Sequence, residues 1–292
     1  MPEFCDWPAT TEVSIIIPAH NEAHRLQETV AAIRETVSIP HEIVVVNDGS
    51  TDGCCDFLGS QAIHLPRRQG VAQARNIGAS HAKSPILVTL DGHCTPRAGW
   101  LELLLDQLHR PGAGIVAPQI RSVEDHSATT FGLTVRDREL GVGWLSRQSD
   151  EPYAIPLAGA ACMVMKREFF EKIGRFDAFR SYGMEDVEIC IRCWLLGYSV
   201  MMVPGAVIDH WFKKVPFAVN WHDYLYNRMR TAVLHFDGPR LGRILAALQA
   251  KPNFADAAAS LLSSDIWSRH QMVRSARKYD ADWFCQKFGV EL

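Results

Sequence analysis

The chain has 292 residues, 47 % of them hydrophobic, enough to bury a sizeable core in one large α/β domain or in one domain plus an extension. A net charge of −3 leaves no basic stripe to draw nucleic acid, and nowhere do about 18 apolar residues run together, so neither a nucleic-acid partner nor a membrane span is expected. Met1–Trp7 is short and acidic, unlike a secretory leader, and the eight cysteines mostly sit inside apolar patterns, so a cytoplasmic chain with reduced, buried thiols is expected.

Val13–Ile17 reads as a strand closed by Pro18, followed by His20-Asn21-Glu22 and an amphipathic helix from about Ala23 to Val37. Glu42–Val46 is a second apolar strand. It ends in the polar loop Asn47–Gly53, where Thr51 or Asp52 could cap a short helix over Cys54–Leu58. Ala62–Leu65 reads as a short third strand, Val71–His81 as a helix after Gly70, and Ile86–Leu90 as another buried strand. Strands alternating with helices predict a doubly wound, mostly parallel sheet. The pairs Cys54-Cys55 and Cys190-x-x-Cys193 have no second pair at zinc spacing and read as core.

The strand Ile86–Leu90 stops at Asp91-Gly92-His93. Ligands of open α/β sheets gather at the carboxyl ends of strands, and residues two apart on extended backbone share a side. Asp91 and His93 are therefore candidate ligands of Mn²⁺ or Mg²⁺, with Gly92 allowing close approach to the backbone. The alternative is a plain turn with a solvated Asp91. Asp48, at the end of the second strand, adds a carboxylate able to accept from a nucleobase or ribose. No Gly-x-Gly-x-x-Gly or phosphate-binding P-loop follows the first strand, which counts against a dinucleotide dehydrogenase or an NTPase. A cation beside the carboxylates would instead neutralise a diphosphate, which suits a sugar nucleotide.

Further along, Arg121–Asp150 mixes polar residues with Trp144 and reads equally as an acceptor-side loop or a bland surface loop. Glu185-Asp186 opens a helix running to Leu196. Acids there satisfy the helix dipole, or serve as a general base. His210 ends the strand-like run Val200–Val203 and Ala206–Ile208, where a histidine is either structural or a ligand. From Pro216 the pattern turns helical, over Trp221–Phe236, Ile244–Ala250, Asp256–Leu262 and Ile266–Lys278, with Ser263, Ser264 and Asp265 as caps.

Ile16-Ile-Pro-Ala-His-Asn-Glu22, Val45-Val-Asn-Asp-Gly-Ser50, Gly70-Val-Ala-Gln-Ala-Arg-Asn76 and Leu90-Asp-Gly-His93 resemble, in order, the nucleotide half of glycosyltransferase family 2 and its GT-A fold. The Asp-Gly-His form, the segment Leu157–Asp177, Tyr182–Gly197 and Pro204–His210 are similar to the polypeptide N-acetylgalactosaminyltransferases. The resemblance covers about residues 12–235 and implies a GT-A domain over 1–215, with a nucleotide half (about 12–95) and an acceptor half (about 96–215), and a helical extension over 216–292.

That resemblance also implies roles. Pro18, His20 and Glu22 would hold the nucleoside, Asp48 the base or ribose, and Arg75, in the unit opened by Gly70, would stand near the nucleotide. Gly159 and Ala160 would lie against the donor sugar, beside Asp91 and Gly92. Asp91, His93 and His210 would hold the metal. Asp186, the second acid of the pair with Glu185, would be the base, as in inverting members. The polypeptide enzymes carry Asn at this point, so Asp186 tilts the expectation toward inversion. The implied activity is metal-dependent transfer from a nucleotide-diphosphate donor, expected to be a UDP-sugar, to a hydroxyl or thiol. A peptide or protein acceptor is favoured over a glycan, lipid or small metabolite. A non-catalytic nucleotide-sugar binding module and a nucleotidyltransferase are the competing classes.

Overall fold

Four apolar runs build one side of the sheet: β1 (Val13–Ala19), β2 (His41–Asn47), β3 (Ile63–His64) and β4 (Ile86–Leu90), parallel and in the order β3-β2-β1-β4. These details come from a computed structural model describing residues 13–146, 149–212 and 220–292. The segment Met1–Trp7 and the expected boundary at 215/216 fall outside the described residues. β1 continues through Pro18 rather than closing there. Its pairing with β4 ends at Ile16, so the missing N–H of Pro18 costs no ladder bond on that side.

The loop after β1 delays α1 (Arg25–Thr36), because Asn21 and Ala23 hold left-handed backbone. Both are tied to the loop after β2: Asn21 N–H donates to Ser50 Oγ at 3.1 Å and Ala23 N–H to Asp52 Oδ2 at 2.8 Å. Asp52 also accepts from Cys54 N–H at 3.1 Å, but the helical turn it precedes is a 3₁₀ segment displaced to Asp56–Gln61. Helix α2 (Val71–His81) and β4 have the expected boundaries. Gly78 lets α2 lie close on the sheet: a Cβ there would come within 2.4 Å of Ile16 Cγ2.

The acceptor half adds β5 (Cys94–Pro96), α3 (Trp100–Leu108), β6 (Ala113–Ser122), β7 (Thr129–Thr130), β8 (Leu133–Val135), β9 (Val142–Trp144), β10 (Tyr153–Ala154), β11 (Cys162–Lys166), α4 (Arg167–Lys172), α5 (Glu185–Leu195) and β12 (Ser199–His210). The sheet continues as β4-β11-β6-β12-β10. β11 runs antiparallel between β4 and β6, while β6 and β12 are parallel, so the sheet is mixed with its longest ladders parallel. The segment Arg121–Asp150 is not an unstructured loop; it carries β7 and the hairpin β8–β9. Alternate residues of β1 feed two apolar layers, Ile15 and Ile17 toward Leu26, Trp100 and Leu104, and Ile16 toward Met163, Ile189 and the C-terminal helices.

Those helices are α6 (Trp221–His235), α7 (Gly238–Leu248), α8 (Phe254–Leu262), α9 (Ile266–Ala276) and α10 (Ala281–Phe288). Asp265 does not cap α9 with its side chain; it pairs with Arg230 at 2.8 Å. The extension is joined to the sheet domain by buried charge as well as by apolar contact. Arg230 of α6 donates through Nε to Asp177 Oδ1 at 2.6 Å, and Arg269 of α9 to Asp177 Oδ2 at 2.6 Å. On α5, Glu188 accepts from Arg192 Nε at 2.9 Å and from His235 Nε2 at 2.9 Å. Burial alone would raise the Asp177 carboxyl, but Arg230, Arg192 and Arg269 hold it at about 2.

Removing one partner of a buried pair strands the other charge. Arg230→Met is therefore expected to cost on the order of 3 kcal/mol in urea unfolding at neutral pH. Because the Asp177 value is lowered on folding, this contribution is complete above the ordinary carboxylate range. It fades as pH falls toward about 2, where the wild type and the variant should converge.

Candidate active site

The cation cluster is assembled by strand pairing. β12 runs antiparallel to β5, setting His210 opposite Cys94, and Trp211 N–H donates to His93 O at 3.1 Å. This brings His210 Nε2 to 3.6 Å from Asp91 Oδ2, and the ligand atoms of Asp91, His93 and His210 all lie within 4.8 Å of one another. His93 donates through Nδ1 to Glu22 Oε2 at 2.8 Å, which leaves Nε2 for the cluster. A carboxylate that fixes the ring and tautomer of a ligand histidine is a usual accompaniment of metal sites. One carboxylate oxygen and two imidazoles with this support fit Mn²⁺ or a similar cation.

Glu22 and Gly92 both line the cavity at the strand ends, and the Glu22 carboxylate is engaged with His93. Gly92 also makes room for that side chain: a Cβ there would press on Glu22 Cγ at 3.1 Å. Burial would raise the Asp91 carboxyl, yet His210, Arg75 and His93 hold it well below the carboxylate range. Burial lowers His210 against the opposing pull of Asp91, so its neutral, ligating form extends into weak acid.

Pro18, His20, Glu22, Asp48, Asp91, Gly92 and His93 line one cavity of about 130 Å³ at the strand ends. Within it, both carboxylate oxygens of Asp48 accept backbone N–H groups, from Gln69 at 2.6 Å and Gly70 at 2.8 Å, and His20 Nδ1 donates to Asp48 O at 2.8 Å. Asp48 thus shapes the loop that opens α2. Gly70 is required in that loop: its φ is +95°, and a Cβ would meet the Ser181 backbone at 2.8 Å.

Arg75 does not reach this cavity. It is 1 % exposed and donates to Asp91 Oδ1 at 2.7 Å, Ala160 O at 3.0 Å and Glu185 Oε1 at 3.0 Å. Glu185, expected beside Asp186 among the catalytic acids, is equally buried and turned toward Arg75, so its carboxylate braces that guanidinium. Asp186, next in sequence, is partly exposed and lines a second cavity of about 410 Å³. Its carboxylate accepts from Val187 N–H at 2.8 Å and Ala160 N–H at 3.3 Å. Burial, then the neighbouring Glu185 charge, push the Asp186 carboxyl up to about 7. Ala160 therefore acts through its backbone, between Arg75 and Asp186. Gly159 lies beside it, where a Cβ would meet only Leu133 Cδ1 at 3.8 Å.

Arg68, Ser181 and Tyr182 line both cavities, and Tyr182 is 61 % exposed between them. The second cavity also takes Asn220, Asp223, Tyr224 and Arg228 from the start of α6 and Val142 from β9. Tyr224 and Arg228 belong to the aromatic and basic stretch Trp221–Phe236, whose pattern suits an active-site cover, acceptor recognition or a dimer contact equally. Val142 lies in the segment Arg121–Asp150, while Asn220 and Asp223 carried no sequence signal.

The family description "Glycosyl transferase family 2" matches residues 14–174, more than half of the chain. The chain belongs to glycosyl transferase family 2. Among similar family members, a putative polypeptide N-acetylgalactosaminyltransferase 9 of Drosophila melanogaster is 31 % identical over 70 % of this chain and 36 % of its own length. Polypeptide N-acetylgalactosaminyltransferase 6 of Bos taurus is 29 % identical over 98 % of this chain and 51 % of its own length. The chain thus spans about half or less of these relatives. Among solved structures, GalNAc-T7 with UDP, GalNAc and Mn²⁺ superposes with a TM-score of 0.80 at 21 % identity, over 96 % of this chain and 56 % of that one. A mannosyltransferase of Pyrobaculum calidifontis with GDP-Man and Mn²⁺ gives 0.56 at 22 % identity, over 90 % and 85 %. At these identities the superpositions establish the GT-A fold of this family 2 chain.

The role of Glu22 can be measured directly. Glu22→Gln keeps the shape of the side chain but weakens its hold on His93, and should lower Mn²⁺ affinity by about 10- to 100-fold in calorimetry without donor. His210→Ala should lower it further, and an unchanged affinity in both would remove the cluster from metal binding.

Proposed function

We propose that this chain is a metal-dependent glycosyltransferase that moves a sugar from a nucleotide-diphosphate donor, a UDP-sugar foremost, to a hydroxyl of a peptide or protein side chain. The observation that carries this reading is the Arg75 bridge. One buried guanidinium joins Asp91 of the cation cluster to Glu185 beside Asp186, and so sets the strand-end cavity against a second cavity with a raised carboxyl. The names of the relatives support the peptide acceptor, and the UDP and Mn²⁺ of GalNAc-T7 support the donor and metal. A GDP-sugar is the competing donor, favoured by the GDP-Man of the mannosyltransferase.

Asp91, His93 and His210 would hold the cation, which when bound would take up charge on the departing diphosphate. His20 and the Asp48 loop would shape the nucleoside side of the first cavity. In the second, the Asp186 carboxylate would accept the proton of the acceptor hydroxyl as its oxygen bonds to the anomeric carbon and the bond to the diphosphate oxygen breaks. Attack from the side opposite the leaving group inverts the anomeric centre. Arg75, held by Glu185 and Ala160, keeps Asp91 ionised and fixes the spacing of the two cavities.

UDP release from UDP-sugars with Mn²⁺ tests the donor half, and Asp91→Ala should abolish it. Asp186→Asn should lower transfer by about 10²- to 10⁴-fold. The base works as a carboxylate, so kcat/KM of the wild type should fall as pH drops below about 7. Full transfer by Asp186→Asn would remove the base assignment and leave a retaining route.

A further inference from the structure

The second cavity contains a cation that forms no ion pair among the described residues. Arg228 projects from α6, its Cζ 3.6 Å above the Tyr224 ring, and its buried Nε meets no hydrogen-bond acceptor among the described residues. Nor does the guanidinium form an ion pair among them. The carboxylates whose charge it feels are already engaged. Asp137 accepts backbone N–H groups from Glu139 and Gly141, Glu139 pairs with Lys251 at 2.9 Å, and Asp186 is held by Val187 and Ala160. Asp223, on the same wall, accepts from Ser181 Oγ and Asn220 Nδ2. Across the cavity, Arg68 is a second cation without an ion pair among the described residues.

A half-buried, stacked guanidinium with an unmet donor is poised for a charged acceptor group, because desolvation strengthens such a contact and leaves the unfilled donor costly. Stacking on Tyr224 fixes the plane of the fork, so little freedom is left to lose on binding.

We infer that Arg228 recognises a carboxylate of the acceptor, so that the substrate class is an acidic peptide with Asp or Glu close to the hydroxyl that attacks. The assignment rests on the transferase reading above and adds to it the charge of the acceptor. It also gives the C-terminal helices a part in substrate choice, since α6 supplies both Arg228 and the ring beneath it.

The test uses the full chain with a UDP-sugar, Mn²⁺ and serine or threonine peptides carrying Glu at successive offsets, each paired with its Gln counterpart. The acid-to-amide ratio of kcat/KM should be on the order of tenfold or more at a favoured offset, the fold-change that one charge-assisted hydrogen bond supports. In Arg228→Gln the ratio should fall toward one, and Arg228→Lys should restore part of it. Each ratio is taken within one protein, so a reduced folded fraction cancels. A ratio near one in the wild type, a ratio preserved in Arg228→Gln, or UDP release with no peptide glycosylated would each overturn the inference. Absence of UDP release from every nucleotide sugar would instead overturn the transferase reading.

Discussion

The arrangement depends on one buried guanidinium. Arg75 lies in the interior with Asp91, which lines the first cavity, on one side and the buried Glu185 on the other. Arginine suits this position because its planar fork offers donors in fixed directions and stays charged when buried. The pairing is less a source of net stability than a constraint: two carboxylates are held at a set distance by one shared cation. Helix α2 delivers Arg75 there because Gly78 allows close contact with β1 and Gly70 allows close contact with the Ser181 loop.

From that constraint the two cavities follow. Asp91 has one oxygen anchored by Arg75, so its other oxygen is left facing His210. His210 arrives by the β5–β12 pairing, and His93 is aimed by Glu22, which occupies space left open at Gly92. On the other side, Glu185 is turned inward by Arg75 and Asp186 is turned outward into the second cavity. Adjacent acids at one helix start thus acquire different environments. One is neutralised by arginine, and the other is raised by burial and by its neighbour's charge.

The C-terminal helices belong to the same structure. Asp177, Glu188 and the arginines around them lock α6 and α9 against the sheet domain, and that rigid seat presents Tyr224 and Arg228 to the second cavity. Side chains that act on a ligand are held best when the elements carrying them are themselves tightly packed.

The local pattern of residues determined much of this. The boundaries of α2 and β4, the parallel ladder of β1, β2 and β4, and the two-residue spacing of Asp91 and His93 all follow from periodicity, turn residues and strand geometry, which act over a few positions. The reversed direction of β11, the helix α3 and the hairpin β8–β9 did not, because they are set by packing partners far along the chain. The roles of the charged residues followed the same division. That Glu22, Arg75 and Glu185 carry charge is written in the chain, but Glu22 meets His93 across 71 positions and Arg75 meets Glu185 across 110. Only the register of the sheet and the approach of helices decide which buried charge must satisfy which, and therefore which acid remains free to act.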